Sequence, residues 1–340
     1  LGDIKIVPTI EDDQYDANQT PGAVSKQLDA GAQVFSGIIG SPNNLAVRQT
    51  LNDECVPQLN NLTGLPAWGS DVAKFPWTTG EMVPYTTETR VYMESLKSQF
   101  PNDATVALFY VKSDFGQAYA DTIKAEGKDY GLTIVEEQTV DPAGPPPADQ
   151  VTSIAAAKPD AILAVPLGAG CISFLGALAD KKAQTPGWDP KVYLTNTCAS
   201  ALIRGIAKAN ANGIYTSANF LDVTDPANAA VPAVKTYVDF MKAEGKEASI
   251  TTGTAGWVAA EITVAEIKAA MDSPDGLSRA SIINAVRALN YTPDLARTGV
   301  VFKLNGVTDG YQAESLQVVQ WDATTKLFTN IGEMVTKFES

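Results

Sequence analysis

TVALFYVKSDFGQAYADTIKAEGKDYGLTIVEE (105–137) holds the reading that decides the fold. Thr105–Tyr110 is an unbroken apolar run rich in β-branched and aromatic residues, the mark of a strand buried on both faces. Phe115–Glu126 reads as a helix stopped by Gly127, and Leu132–Glu137 as the next strand. Strand, helix and strand in this order form a parallel unit whose crossover helix covers the sheet.

The same alternation runs outward in both directions. Upstream, strands are expected at Ile4–Thr9, Val34–Ile39 and Pro57–Leu59. Thr20-Pro21 supplies an N-cap and an N1 proline for a helix reaching Asp29. Ser41-Pro42 opens a second helix, with Leu45, Val47 and Leu51 on one face, and Thr86–Phe100 carries Val91, Tyr92, Leu96 and Phe100 at helical spacing. Downstream, the proline loop DPAGPPPAD (141–149) forbids regular structure. Beyond it come helices at Gln150–Ala157, Cys171–Asp180, Ala199–Ala207, Ala230–Glu244, Gly253–Met271 and Ser278–Leu289. Strands are expected at Ala161–Val165, Val192–Thr195 and Gly213–Ala218, then at Val300–Phe302, Ser315–Asp322 and Leu327–Ile331. Eleven expected strands exceed what one compact lobe carries, and the late change from helices to strands suggests a chain returning to complete earlier structure. The expected fold class is α/β, in two units.

Composition narrows the chemistry. The chain has 340 residues, 39 acidic and 25 basic side chains and a net charge of −14, without the basic footprint that phosphate recognition needs. It contains no histidine, which removes His-based triads, His-ligated metals and imidazole acid–base catalysis. Carboxylates, Lys, Tyr or Cys alone would have to serve an enzyme. The uncharged run Ala161–Ala179 approaches the ~20 residues of a membrane span. Pro166, Gly168 and Gly170 interrupt it, and a buried strand, a turn and a packed helix explain it better.

Other constellations carry less. SGIIGS (36–41) and LGAG (167–170) lack GK[ST] and do not complete G-x-G-x-x-G, so no nucleotide loop is supported. Each still lies between a strand and a helix, where free N–H groups suit an anion. SGIIGSPNN can therefore cradle a carboxylate or be an ordinary tight turn. Glu11-Asp12-Asp13-Gln14-Tyr15-Asp16 lacks the glycine and glutamate of a calcium loop and reads as a solvated segment. Cys55, Cys171 and Cys198 match no thiolate metal site. They are either buried small side chains or include a Cys171–Cys198 bridge across 27 residues, which would imply an oxidising compartment.

Taken together, IKIVPTIEDDQYDANQT (4–20), GSPNNLAVR (40–48), NDECVPQL (52–59), KFPWTTG (74–80), SDFGQAYADTIK (113–124) and GYQAESLQVVQWD (310–322) resemble the type I periplasmic binding proteins. The likeness is to the leucine/isoleucine/valine-binding branch that serves ABC importers. It covers the chain in order and is specific for the family, not for a ligand. It implies two Rossmann-like lobes joined by three crossover segments, near Met82–Pro84, Phe220–Val223 and Asp309–Tyr311. Lobe 1 would comprise 1–82 and 221–309; lobe 2 would comprise 83–220 and 310–340. The family begins with a strand and helix that precede the segment matching Ile4. The expectation is a longer precursor, secreted to the periplasm or cell exterior, with a lipid anchor possible upstream of Leu1.

The resemblance further implies no catalysis, no cofactor and no metal, with a small-molecule ligand and an ABC permease as partners. The ligand carboxylate would meet Ile39, Gly40 and Ser41, the Thr63 hydroxyl and the backbone of Leu62. Tyr85 and Phe115 would pack its apolar body, with Leu167 and Thr197 on the lobe 2 side. Amino-acid-binding members place an acid after the strand matching Val192–Thr195, whereas Thr195-Asn196-Thr197-Cys198 contains none. An aromatic or aliphatic acid without an α-amino group therefore competes with a branched-chain amino acid. A ligand-sensing receptor or regulatory module of the same fold is the alternative function.

Overall fold

The computed structural model describes residues 2, 4–274 and 276–339. Leu1, upstream of which an anchor is expected, lies outside them. In chain order the elements of the first part are α1 (Thr20–Asp29), β1 (Phe35–Ser36), α2 (Ser41–Asp53), β2 (Gln58–Asn61), α3 (Ala67–Ser70) and β3 (Thr78–Gly80). Next come α4 (Tyr85–Gln99), β4 (Ala104–Val111), α5 (Asp114–Glu126), β5 (Leu132–Val140), α6 (Ala148–Ala157), β6 (Ala161–Val165), α7 (Ala169–Gln184), β7 (Lys191–Leu194), α8 (Ala201–Ala207) and β8 (Tyr215–Ala218). The last part holds α9 (Pro232–Ala243), α10 (Gly253–Met271), α11 (Arg279–Val286), β9 (Asn290–Tyr291), β10 (Phe302–Lys303), β11 (Leu316–Asp322) and β12 (Leu327–Val335).

These elements build two α/β lobes. In lobe 2 the seven-stranded sheet runs β12-β11-β8-β7-β6-β4-β5. Its five strands from β8 to β5 are parallel, and β11 is antiparallel to both β8 and β12. Strand β4 shows why an unbroken apolar run was needed. Val106, Leu108 and Tyr110 join the core with Val91, Tyr92, Leu96, Tyr119 and Ile123 of α4 and α5. Ala107 and Phe109 face Val151, Ile154, Phe174 and Leu175 of α6 and α7. A strand covered on both faces has no polar side to show.

Lobe 1 holds the parallel sheet β1-β2-β3. Val24, Phe35, Val47, Leu51 and Val56 pack α1 and α2 on one face, while α10 covers the other. The chain passes between the two sheets from β3 to α4, from β8 to α9, and from β10 to β11. One apolar core continues across these passages, from Leu59 and Val258 to Leu108 and Leu163.

Several expectations are corrected. Ile4–Thr9 is not a strand: among the described residues nothing pairs with it, and Val7 and Ile10 are 73% and 90% exposed. An apolar run without a ladder partner has nothing to hold it extended in a sheet. Strand β3 was not anticipated, because Thr-Thr-Gly has no apolar pattern and owes its conformation to pairing with β2. The N-cap of α1 is Gln19, and the Thr20 hydroxyl instead donates to Asp13 Oδ2 at 2.6 Å. Gly40, not Ser41, caps α2, and Leu45 faces solvent while Val47 and Leu51 are buried. The end of the β7 loop forms a short 3-10 turn at Asn196–Cys198, so α8 starts later than expected.

Candidate functional site

The turn from β1 into α2 makes one wall of the candidate site. Gly40 has φ +95°, and a Cβ there would lie 2.7 Å from the Tyr15 ring, so glycine is required on both counts. Ser41 is the first helical residue of α2, where the backbone N–H groups have no intrahelical acceptor and the dipole is positive. Its side chain is 1% exposed. Ser41 Oγ lies 2.7 Å from Thr63 Oγ1, which follows β2. Tyr85 OH, at the start of α4, donates to the same Thr63 oxygen at 3.3 Å, as does Leu65 N–H at 3.3 Å.

Proton direction follows from these contacts. Thr63 Oγ1 accepts two hydrogen bonds, from Tyr85 and Leu65, which uses both lone pairs. Its own proton must then go to Ser41 Oγ, and the Ser41 hydroxyl is itself within hydrogen-bonding reach of Tyr85. Burial pushes the Tyr85 phenol above its ordinary range, so it stays a neutral donor. The chain Tyr85→Thr63→Ser41 is polarised toward any anion that Ser41 meets.

An aromatic wall stands beside this chain. The Tyr85 ring meets Phe115 edge-on at 5.0 Å and stacks on Tyr119 at 5.0 Å, and Phe115 lies 5.5 Å from Tyr119. Phe115 and Tyr119 belong to α5 of lobe 2, and α5 packs against α2 of lobe 1, so the lobes meet here. Gly64 makes the approach possible: a Cβ there would lie 2.3 Å from the Val83 carbonyl and 2.8 Å from the Tyr85 ring. Tyr85 N–H donates to Gly64 O at 2.7 Å, pinning the hinge start of α4 to lobe 1.

The structure brings Ser41, Thr63, Tyr85 and Phe115 together. Leu62 is different: its N–H donates to Ile38 O at 2.9 Å and its carbonyl accepts Gly40 N–H at 3.3 Å, so its backbone already serves the lobe 1 sheet. Ile39 is 57% exposed and forms an isolated parallel bridge with Leu62. Leu167 packs on the main core beyond β6, and Thr197 Oγ1 lies 3.4 Å from Thr195 Oγ1. Cys171 and Cys198 are joined, with Cα atoms 5.7 Å apart, and both are buried. The bridge ties the start of α7 to the loop that carries Thr195 and Thr197.

Sequence reasoning missed the polar floor of lobe 2. Glu88, on the first turn of α4, is buried and accepts from Tyr92 OH at 2.6 Å and Asn196 N–H at 3.1 Å. It also accepts from the hydroxyls of Tyr119 and Ser217. Tyr119 OH lies 3.0 Å from Thr195 Oγ1. The available signal was the four-residue spacing of Glu88 and Tyr92, which puts the acid on the same helix face as a core residue.

Two α/β lobes thus meet over a buried hydroxyl cluster and three packed aromatic rings. A family model described as periplasmic binding protein matches residues 1–326, and the chain belongs to that family. Its members are solute-binding proteins rather than enzymes. Among solved structures, the chain is similar to a branched-chain amino acid ABC transporter protein from Thermus thermophilus with bound valine. The TM-score is 0.81 at 18% identity, covering 96% of this chain and 84% of that one. A solute-binding protein from R. palustris in complex with benzoate gives a TM-score of 0.76 at 15% identity, over 96% and 85% of the two chains. A fatty acid ABC transporter substrate-binding protein from Thermomonospora curvata gives 0.77 at 18% identity, over 96% and 80%. No curated protein sequence matches the chain. Among the described residues no helix is long and apolar enough to cross a membrane.

Proposed function

We propose that this protein captures a small carboxylate-bearing solute between its lobes, outside the cytoplasm, and delivers it to an ABC permease. The observation that carries the reading is the hydroxyl chain Tyr85–Thr63–Ser41 ending at a helix N-terminus beside three packed aromatic rings. A carboxylate held by Ser41 would gain a charge-assisted hydrogen bond and the favourable end of the α2 dipole. Phe115 and Tyr119, with the Tyr85 ring, would take the apolar body. Closure about crossings near residues 82–84, 220–223 and 309–311 would bury the solute and signal a loaded protein.

Within this class, an aromatic or aliphatic acid without an α-amino group is preferred over a branched-chain amino acid. The β7 loop carries no acid, and Glu88, the buried acid on that side, is already surrounded by four donors. An ammonium would have to displace one of them. Valine, benzoate and fatty acids, named with the similar structures, share a carboxylate on an apolar body. A lipid tether upstream of Leu1 belongs to this proposal as well.

A thermal-shift screen against amino acids, benzoate, other aromatic acids and short fatty acids tests the reading. A binder at 100 times its dissociation constant adds about 2.7 kcal/mol of stability. Stabilisation by organic acids alone supports both the site and the preference. Stabilisation by leucine or valine alone keeps the site and overturns the preference, and no response to any carboxylate ends the proposal.

A further inference from the structure

Beside the hinge, on the face of β2 covered by α10, lies a buried polar cluster that solute binding does not use. Glu81 follows β3 on the first crossing, Glu266 sits in α10, and Gln312 lies on the third crossing; each is 1% exposed. Asn60 links them. Its Nδ2 donates to Glu266 Oε2 and to Thr263 Oγ1, both at 3.0 Å, and its Oδ1 accepts from Gln312 Nε2 at 2.7 Å. Gln312 Nε2 also lies 3.5 Å from Thr79 Oγ1, which takes the Asn60 N–H at 3.1 Å. The Thr263 proton goes to Ala259 O at 2.7 Å.

The amide and Thr263 donors are thus engaged, yet three buried acceptor oxygens remain without a donor: Glu81 Oε2, Glu266 Oε1 and Gln312 Oε1. Among the described residues neither carboxylate has an ion pair. Two ionised carboxylates in so dry a place, with no counter-charge, are strongly unfavourable. Two carboxylic acids are not, because each brings an O–H donor to a cluster short of donors.

We propose that Glu81 and Glu266 are both protonated when the lobes are closed, and that this pair makes closure of the hinge proton-linked. The placement gives the device its lever. Glu81 and Gln312 ride on two of the three segments between the lobes, while Glu266 is fixed in lobe 1. Rotation about the crossings admits water to the pair, and the opened form accepts ionisation that the closed form refuses.

Among the described residues no cation is paired with either carboxyl. On α10 itself, Glu261 takes Tyr291 OH at 2.7 Å and Asp294 N–H at 2.9 Å. Just past α11, Arg287 donates from Nη2 to Pro76 O and Thr78 O, while its Nε and Nη1 are buried without an acceptor; on α2, Arg48 pairs with Asp71. Asp309 and Glu314, both buried, flank Gln312 and add acid rather than base. From β1 comes only Ser36, which bonds Thr263 Oγ1 at 2.8 Å. Burial pushes Glu266 up to about 8, against one weaker downward pull from Asn60. Burial and the Glu266 charge push Glu81 well above the ordinary carboxylate range.

The sign follows from these directions. A carboxyl raised in the closed form binds a proton that an open or unfolded chain releases near 4.5. The closed form is therefore favoured most at low pH and loses that advantage as pH rises from about 4.5 to about 8. The test is small-angle scattering and thermal unfolding of the ligand-free protein across this range, for the parent, Glu81→Gln and Glu266→Gln. The parent should expand and lose melting temperature as pH rises, and each glutamine variant, with one of the two carboxyls replaced by a group that never ionises, should lose about half as much. Infrared spectroscopy of the parent at neutral pH supplies a readout that needs no variant: a protonated-carboxyl C=O band should be present. Its absence, or identical pH profiles for parent and variants, overturns the proposal. So does re-closure of the parent at alkaline pH by sodium or calcium ions but not by the same charge of a bulky organic cation, since a metal ion would then fill the role given to the protons.

Discussion

Removing the Ser41 hydroxyl should weaken carboxylate binding far more than its single oxygen suggests, because two other hydroxyls are wired to it. In Ser41→Ala the ligand loses a hydrogen bond to a charged group, a loss of about 1.5–3 kcal/mol, or roughly 10- to 150-fold in affinity. In Tyr85→Phe the ring keeps its contacts with Phe115 and Tyr119, but the 3.3 Å bond to Thr63 disappears. A neutral hydrogen bond contributes about 0.5–1.5 kcal/mol, so this variant should bind about 2- to 12-fold more weakly. The polarised chain adds a third expectation. Once Ser41 is gone, the Tyr85 proton no longer leads to the ligand, so the double variant should fall short of the summed losses by at least ~0.5 kcal/mol. Calorimetric titration of the four proteins with the carboxylate that stabilises the parent most gives all three quantities. Ser153→Ala, on exposed α6 surface with its hydroxyl turned to Asp149 O, serves as the control. Parent-like affinity in Ser41→Ala would remove the cradle, and strict additivity would break the relay while leaving the cradle in place.

Three further outcomes are expected. Replacing both Cys171 and Cys198 by Ala opens a loop of 27 residues, and the unfolded-chain entropy released predicts a loss of about 3.5 kcal/mol in urea unfolding; a change under ~1 kcal/mol would show that the bridge constrains little. Gly64→Ala drives a methyl group toward the Val83 carbonyl, at 2.3 Å before relaxation, and should destabilise the protein by about 1–3 kcal/mol while lowering carboxylate affinity, because Tyr85 must shift. The Arg90 guanidinium, hydrogen-bonded to Glu126 at 2.7 and 2.8 Å, holds that carboxyl below its ordinary range. Its stabilisation is present above about pH 4.5 and fades as pH falls, so Arg90→Gln should lower the neutral plateau, leave stability at the acid end unchanged and thereby flatten the acid limb of the stability curve.

What could be read in advance follows the range of the physical cause. Strand β4 and helix α5 are dictated by residues within a few positions of one another, so Thr105–Tyr110 and Phe115–Glu126 appear in the structure extended by only a residue or so. Ile4–Thr9 failed because a strand is a statement about a neighbour, and its apolar residues carry no information about whether one is present. Thr78–Gly80 failed in the opposite sense, since its partner β2 makes it a strand that its own composition does not announce. The same division runs through the site. Ser41, Thr63 and Tyr85 could be matched to a family pattern before their hydroxyls were seen in contact. Glu88 could not, since its four donors come from α4, α5, β8 and the loop after β7. Glu81 and Glu266 are farther still from any local signal, being neighbours only through the fold.

The opening turn of α4 explains why closure and recognition should be one event. Tyr85 and Glu88 are three residues apart and so lie on one side of the helix. Tyr85 is fastened to lobe 1 through Gly64 and Thr63, and Glu88 to lobe 2 through Tyr119, Ser217 and Asn196. A single helical turn is therefore held by both lobes at once, directly after the first crossing. If the lobes part, Tyr85 cannot keep both its Thr63 bond and its stacking on Tyr119, because those partners move with different lobes. Losing the Tyr85 donation frees a Thr63 lone pair, and the order of donors that ends at Ser41 is no longer enforced. The cradle is thus strongest in the arrangement that also completes the aromatic wall. A solute bridging the two would stabilise the closed form through contacts unavailable in the open one, which is the differential affinity that any ligand-driven closure requires.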